Sequence, residues 1–233
     1  FYLSRLARRE VKVVLTGDGG DECFAGYPRY AAVRIGQTFD RLPGFVRRLA
    51  RAELWHRLPV SVEAKTPMRR LRRLMIAMGL PPRARYLSWI SIFGEEAKQN
   101  LLTGGLNREI NSAGSADVLN QYYAEVGGQD FVQATTYVDL MTYLPGDLLT
   151  KVDIASMAHG LEARSPFLDH RVVELAGRVP IRQKLRMTAG GLEGKLILKA
   201  AFSQKLPRTI LKRRKMGFGV PVGEWFRTEL RDL

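Results

Sequence analysis

Apolar positions recur in two rhythms along the chain. Val11-Lys12-Val13-Val14-Leu15 is a short, nearly continuous apolar run that stops at Thr16-Gly17, the pattern of a buried strand. Past it, spacings of three and four residues take over. Met68, Leu71, Met75 and Met78 recur this way behind Thr66-Pro67, which supplies a cap and a first turn, so a helix is predicted there with Arg69, Arg70, Arg72 and Arg73 turned outward. Thr135 to Leu144 reads as a helix stopped by Pro145-Gly146. A second begins at Asp147, carries Leu148, Val152 and Ala155 as its apolar stripe, runs to Ala158 and leaves through His159-Gly160. Two more are expected over Asp169 to Val179 and Gly194 to Leu206, each ended at a proline. Tyr30 to Leu58 is a mixed, arginine-rich stretch broken at Pro43-Gly44, and Leu102 to Ser115 reads as a loop.

The segment directly behind the strand carries the chemistry. Thr16-Gly17-Asp18-Gly19-Gly20-Asp21-Glu22-Cys23-Phe24-Ala25-Gly26-Tyr27 joins glycines, which let the backbone turn tightly and approach a phosphate or sugar, to the carboxylates of Asp18, Asp21 and Glu22, which hold a divalent cation or take up a proton. A strand leading into such a turn is a nucleotide-site pattern. ATP is the expected ligand.

Composition sets bounds on this picture. The chain has 233 residues, 45% hydrophobic and 26% charged, as a soluble globular protein does. It has no apolar stretch of roughly 18 residues to span a membrane, no export signal is expected, and its single cysteine, Cys23, excludes an internal disulfide and fits a reducing cytoplasm. The first residue is Phe1, and only about ten residues precede the strand. A parallel strand with a ligand loop at its carboxyl end has neighbours on both sides, so the chain is expected to be a piece of a longer protein. The net charge of +14 raises a nucleic-acid reading, which is set aside because no aromatic residues are interleaved with the arginines for bases to stack on.

Three further segments hold possible chemistry. Asp147, Lys151 and Asp153 gather two carboxylates and a lysine within two helical turns, where capping plus a surface ion pair explains them as well as a site does. Glu162 and Arg164, ahead of Ser165-Pro166 and Asp169, suggest a loop pinned by buried ion pairs, scaffold more than catalyst, although Arg164 has the reach to grip a carboxylate ligand bidentately. Arg213-Arg214-Lys215-Met216-Gly217-Phe218-Gly219-Val220-Pro221 reads either as a mobile basic loop that closes over phosphates or as a solvated linker.

Taken in order, the strand with its Thr16-Gly17-Asp18-Gly19-Gly20-Asp21-Glu22 turn, then Leu144-Pro145-Gly146-Asp147-Leu148-Leu149-Thr150-Lys151-Val152-Asp153, then Ala158-His159-Gly160-Leu161-Glu162-Ala163-Arg164-Ser165-Pro166-Phe167-Leu168-Asp169, and finally Arg214-Lys215-Met216-Gly217-Phe218 resemble the synthetase domain of glutamine-hydrolysing asparagine synthetases. The resemblance spans nearly the whole chain. It implies an α/β fold of the adenine-nucleotide α-hydrolase type, the PP-loop ATP pyrophosphatase fold, truncated on its N-terminal side and rich in helix, with residues 1–233 forming a partial domain. It implies an amide-forming ligase that adenylates the side-chain carboxylate of aspartate with Mg-ATP, releases pyrophosphate, and lets ammonia from an N-terminal glutaminase domain attack to give asparagine and AMP.

Carried over residue by residue, the resemblance places Thr16, Gly17, Gly19 and Lys151 around the nucleotide. Asp21 binds magnesium with the pyrophosphate, and Glu22 and Arg164 stand on the substrate side. Asp18 falls where many members have Glu, the base that takes a proton from ammonia, and is one methylene shorter. Lys215 stabilises charge on the phosphates and the acyl-adenylate, and Asp147 orients Lys215 or the aspartate. The family's pyrophosphate loop, a serine-glycine-glycine run followed by Asp-Ser, does not occur in these residues, nor does the glutaminase domain with its N-terminal cysteine. Cys23 is no substitute: its acidic neighbours raise a thiol pKa, and it reads as a small buried hydrophobe. His56, His159 and His170 read as structural. The isolated chain is therefore expected to bind ATP weakly and to make no asparagine. A sister enzyme activating another carboxylate, such as a β-lactam synthetase-like ligase, is the alternative, and a basic nucleic-acid-binding helical module the third reading. The sequence leaves open which acid is activated, the ammonia route and whether two copies pair as a homodimer.

Overall fold

A parallel pair of strands positions the glycine turn. In the computed structural model, which describes residues 1–50, 55, 67–106, 114–188, 191–213 and 222–231, β1 (Val13–Leu15) pairs with β2 (Glu162–Arg164), with Val13 opposite Glu162, Val14 opposite Ala163 and Leu15 opposite Arg164. A parallel pair needs a crossover, and here most of the helical chain lies between the two strands. β1 is less buried than its apolar run predicts. Val13 and Leu15, which alternate with Val14, share a face that no described element covers, and Leu15 is 74% exposed there.

The chain divides into two units, Phe1–Ile197 and Leu198–Leu233. In the second, the short helices Arg208–Lys212 and Val222–Trp225 are described; Pro207 precedes the first of them, supplying a fixed φ at the point of entry. The first unit holds the core, where the helices Pro28–Asp40, Pro82–Ile90, Ser115–Glu125 and Phe131–Met141 pack around Tyr30, Tyr86, Tyr123, Val132 and Val138.

At the centre of that core sits a charge. Asp139 is fully buried; Tyr30 donates to its Oδ2 at 2.6 Å, Tyr86 donates to its Oδ1, and the Arg29 guanidinium lies 2.8 Å from Oδ2. Burial pushes the Asp139 carboxyl pKa up, and Arg29 with the two phenols works against that push. Arg29 in turn lies between the rings of Tyr27 and Tyr143, 4.3 and 4.2 Å from their centroids. One buried carboxylate thus ties three helical segments together and reaches Tyr27, the last residue of the glycine-rich segment.

A second buried cation fastens the periphery. Arg85 meets Asp40 bidentately at 3.0 and 2.6 Å and donates to the carbonyls of Ala77 and Leu80, joining the ends of the helices Pro28–Asp40 and Pro67–Met78. Gly36 is required beneath it, since a Cβ there would run into the guanidinium.

Several elements match the periodicity. The break at Pro43-Gly44 separates Pro28–Asp40 from Gly44–Ala50; Gly160 takes φ +62° at the exit of Thr150–Met157; and Asp169 caps His170–Arg178, accepting from the Arg171 N–H at 2.9 Å. The helix Pro67–Met78 is present with Met78 buried, but Met68 and Leu71 are exposed, and its expected cap, Thr66, lies outside the described residues. Residues 107–113, within the expected loop, and His56 also lie outside them.

Two expectations are corrected. Pro145-Gly146 does not stop the chain: Phe131–Met141 gives way to a π-helical segment, Leu144–Leu149, which passes directly into Thr150–Met157. Proline is tolerated because it sits in the first turn of that segment, where its missing N–H has no partner to lose, and the wider π turn absorbs the glycine. Asp147 is therefore inside a helical run, not at its cap. The helix expected from Gly194 starts at Leu196 and ends at Ala201, because the residues before it form an antiparallel hairpin, β3 (Arg186–Thr188) with β4 (Gly191–Glu193). Among the described residues no helix is long and apolar enough to cross a membrane.

Candidate functional site

The turn leaves β1 with its amides unspent. The Thr16 N–H donates to Arg164 O at 2.8 Å, extending the parallel ladder by one residue, and Thr16 Oγ1 hydrogen-bonds Ser165 Oγ at 2.5 Å. The Gly20 N–H closes back on Gly17 O at 3.2 Å. Between them, the N–H groups of Gly17, Asp18 and Gly19 have no acceptor among the described residues. Three consecutive unspent donors past the carboxyl end of a strand are a candidate anion cradle.

The backbone needed for this cradle explains the glycines. Gly19 takes φ +82°, and a Cβ on it would overlap the Leu168 side chain; Gly20 lies against the Phe167 ring. Both contacts come from the 3-10 turn Pro166–Leu168 that follows β2. The segment from Gly160 to Asp169 thus acts as the wall on which the turn is moulded.

The three carboxylates of the turn part company. Asp18 stays at the bend, half-buried. Asp21 Oδ1 lies 3.2 Å from Lys195 Nζ. Glu22, 1% exposed, points inward and accepts from the Tyr27 hydroxyl at 2.8 Å, and burial pushes its pKa up. Glu22, placed on the substrate side by resemblance, is thus engaged inside the protein.

Lys195, which sequence reasoning passed over, meets the turn at Asp21. It sits in the left-handed region at φ +58°, its N–H donates to Phe24 O at 3.0 Å, and it reaches Asp21 because Gly26 and Gly194 leave no Cβ in the way. Ala25, facing it, is also left-handed at φ +53°. Two non-glycine residues held in that region at one contact mark a place the fold over-determines. The signal was present as Gly190-Gly191-Leu192-Glu193-Gly194-Lys195, a lysine at the end of a glycine-rich run.

Lys151 Nζ lies 3.6 Å from Asp147 Oδ1, one helical turn apart and both well exposed, which is the surface ion pair weighed from the sequence. Arg164 Nε donates to Glu162 Oε1 at 2.7 Å, but both side chains are more than half exposed, 66% and 54%. The expected buried ion pairs are therefore corrected to a surface pair: residues 162 and 164 of β2 share one face, and that face is open. Lys215 and its basic glycine loop, residues 214–221, lie outside the described residues. Among those described, no group of three or more His, Cys, Asp or Glu side chains is placed to hold a metal.

Cys23 is buried, its Sγ 4.0 Å from Phe167 O, and burial pushes the thiol up to about 11. At pH 8 about one thiol in a thousand is then ionised. Iodoacetamide is expected to leave Cys23 unmodified in the folded protein at pH 8 and to alkylate it fully in denaturant, as read by mass spectrometry; equal rates in both states would show an open thiol.

Comparison with known proteins places the chain as a whole. The family model for asparagine synthase matches residues 1–233. Asparagine synthetase [glutamine-hydrolyzing] 1 of Bacillus subtilis is 31% identical over 234 residues, covering 100% of this chain and 34% of its own length. A putative glutamine-hydrolyzing asparagine synthetase of Mycobacterium tuberculosis is 34% identical over 227 residues, covering 97% of this chain and 32% of its own length. Amidase chry2 of Gibberella zeae is similar at 22% identity over 77% of this chain. The chain thus spans about a third of the length of the first two relatives. No solved structure matches it.

Proposed function

The chain belongs to the asparagine synthase family, and from that premise we propose that it forms part of an ATP-dependent amide ligase that adenylates the side-chain carboxylate of aspartate and passes the acyl group to ammonia. The observation that carries this reading is the run of three unspent amides at residues 17–19, beside Asp21 and Lys195. A carboxylate is a poor electrophile, and transfer of AMP to it needs donors fixed where charge develops on the phosphates. Amides held by the ladder to β2 and by the Leu168 wall are already oriented and need no rearrangement as the reaction proceeds.

Each residue then has a task. Thr16, Gly17 and Gly19 present main chain to the adenylate. Asp18 takes the proton from attacking ammonia, its shorter reach relative to the Glu of many members being met by its place at the bend. Lys195 holds Asp21 in position and adds a positive charge beside the phosphates, and Lys215 is assigned the same electrostatic task on the acyl-adenylate. Asp147 and Lys151 form a lesser, exposed pair at the periphery of the assignment.

Magnesium fits this donor set. The ion takes one or two carboxylates and completes its shell with phosphate oxygens and water, so the single carboxylate of Asp21 beside an anion cradle suffices. Asp21 would hold it against the pyrophosphate, where the ion neutralises charge on the leaving group. The glutaminase that supplies ammonia belongs, on this reading, to the part of the relatives that the chain does not span. These 233 residues alone are expected to bind Mg-ATP weakly, since the serine-glycine-glycine run for the pyrophosphate is not among them.

The test is a pyrophosphate-release assay on the full-length gene product with Mg-ATP, ammonium and a panel of carboxylic acids. Release with aspartate, matched one to one by AMP and asparagine, is expected. Release with a different acid only would assign the site to a sister ligase. No release with any acid overturns the proposal.

A further inference from the structure

On the inner side of the Gly20–Cys23 helix, away from the amide cradle, lies a half-open cavity of about 100 Å³. It is lined by Glu22 and Cys23, by Gln133 and Leu140 of the helix Phe131–Met141, by Val173 and by Lys184. Lys184, the last residue of the short helix Ile181–Lys184, is 1% exposed, and its ammonium has no hydrogen-bond or ion-pair partner among the described residues. Gln133 is fixed by its Nε2, which donates to Gly177 O at 3.2 Å, so its Oε1 is left buried without a donor.

These two facts point the same way. A buried ammonium without a counter-charge is costly, and a protein meets that cost by pairing the charge or by lowering the amine's pKa. A buried amide oxygen without a donor carries a smaller cost of the same kind. Both sit on one cavity large enough for several waters or one molecule of about five heavy atoms. Its remaining wall is mostly apolar, so a charge-assisted contact made there is stronger than the same contact in bulk water.

We propose that this cavity is a binding site for a small carboxylate with a hydrogen-bond donor on its α-carbon, the carboxylate paired with the Lys184 ammonium and the donor given to Gln133 Oε1. Glycolate and glycine are the smallest molecules of that class. Acetate lacks the donor and methylammonium lacks the carboxylate. The site is separate from the amide cradle, and its occupancy does not depend on which acid the ligase activates.

Titration gives a second readout. Burial lowers the Lys184 amine to about 8, opposed by the neighbouring Cys23 thiol. The other ionisable groups facing the cavity are Glu22 and Cys23 on one helix and Tyr137 on the next, while the helix His170–Arg178 contributes only uncharged residues to the wall. Lys184 is thus the one cation in the lining, and binding is expected to weaken about tenfold per pH unit above 8 as its charge is lost. Because its folded value lies below the ordinary 10.5, the unfolded chain binds more protons between about 8 and 10.5, and stability rises with pH across that window. Lys184→Met removes the unpaired charge at nearly constant volume, so this variant is expected to fold and to lose that rise.

The experiment is calorimetric titration of the full-length gene product with glycolate, glycine, acetate and methylammonium at fixed ionic strength. Glycolate or glycine is expected to bind at least about threefold tighter than acetate, the span of one neutral hydrogen bond, and Lys184→Met to weaken either by about 10–100-fold, the span of a charge-assisted one. Gln133→Leu is expected to erase the preference over acetate while sparing acetate itself. Undiminished binding in Lys184→Met, equal affinity for acetate and glycolate in the wild type, binding of methylammonium as tight as that of glycine, or binding of none of the four overturns the site.

Discussion

Asp139→Ala is expected to lower folding stability by about 3–5 kcal/mol, the largest effect of any single side-chain truncation in the first unit. The carboxylate is fully buried and receives the Tyr30 and Tyr86 hydroxyls and the Arg29 guanidinium, so its loss leaves one charge and two phenols without their partner. Removing one member of a buried pair costs far more than the net worth of the pair, because the survivor cannot return to water. For a chain of this length the melting midpoint is expected to fall by about 6–20 °C in a calorimetric scan. Asp147→Ala is the control: its pair with Lys151 is exposed, and a shift within about 0.5 kcal/mol is expected. Equal shifts for the two variants would show that Asp139 is not the keystone described.

The second large effect is on activity. In the full-length gene product, Asp21→Asn is expected to lower pyrophosphate release by about 10²–10³-fold, the cost of deleting one preorganised group that meets charge developing in the transition state. The melting midpoint should move less than in Asp139→Ala, since Lys195 and Asp21 each retain some exposure, 34% and 18%, and Asn keeps the shape of the side chain. The pair of readouts separates a chemical role from a structural one. An Asp21→Asn enzyme that keeps a third or more of its activity would remove Asp21 from the site. One that loses activity and stability together would mark it as scaffold.

The two variants bear on one connected support. Tyr27 donates to Glu22 within the turn and lies against Arg29, whose charge is held by Asp139 in the core. The cradle is therefore anchored at both ends: at its start by the ladder to β2, and at its finish by a buried ionic network. A nucleotide site that must hold amides in place against the pull of a charged ligand gains from fixed supports on both sides.

By itself the sequence determined what depends on neighbours along the chain. The left-handed exit at Gly160, the Asp169 cap and the break at Pro43-Gly44 all stem from local φ/ψ preference and from hydrogen bonds that span a few residues, and the apolar run of β1 with its glycine turn was legible although the ladder that holds it comes from β2. The order of its motifs also identified the family. Tertiary structure decided what depends on which distant segment returns to meet which. Asp139 lies 109 positions from Tyr30, and nothing in Tyr137-Val138-Asp139-Leu140 announces that a carboxylate there has phenols waiting for it. Lys195 meets Asp21 only because the β3–β4 hairpin brings Gly194 against Ala25, and Lys184 is stranded only because three helices close over it. The same limit explains the errors. Apolarity made β1 look buried and proximity made Glu162 and Arg164 look enclosed, yet burial is a property of the surface opposite, and along these two strands that surface is open.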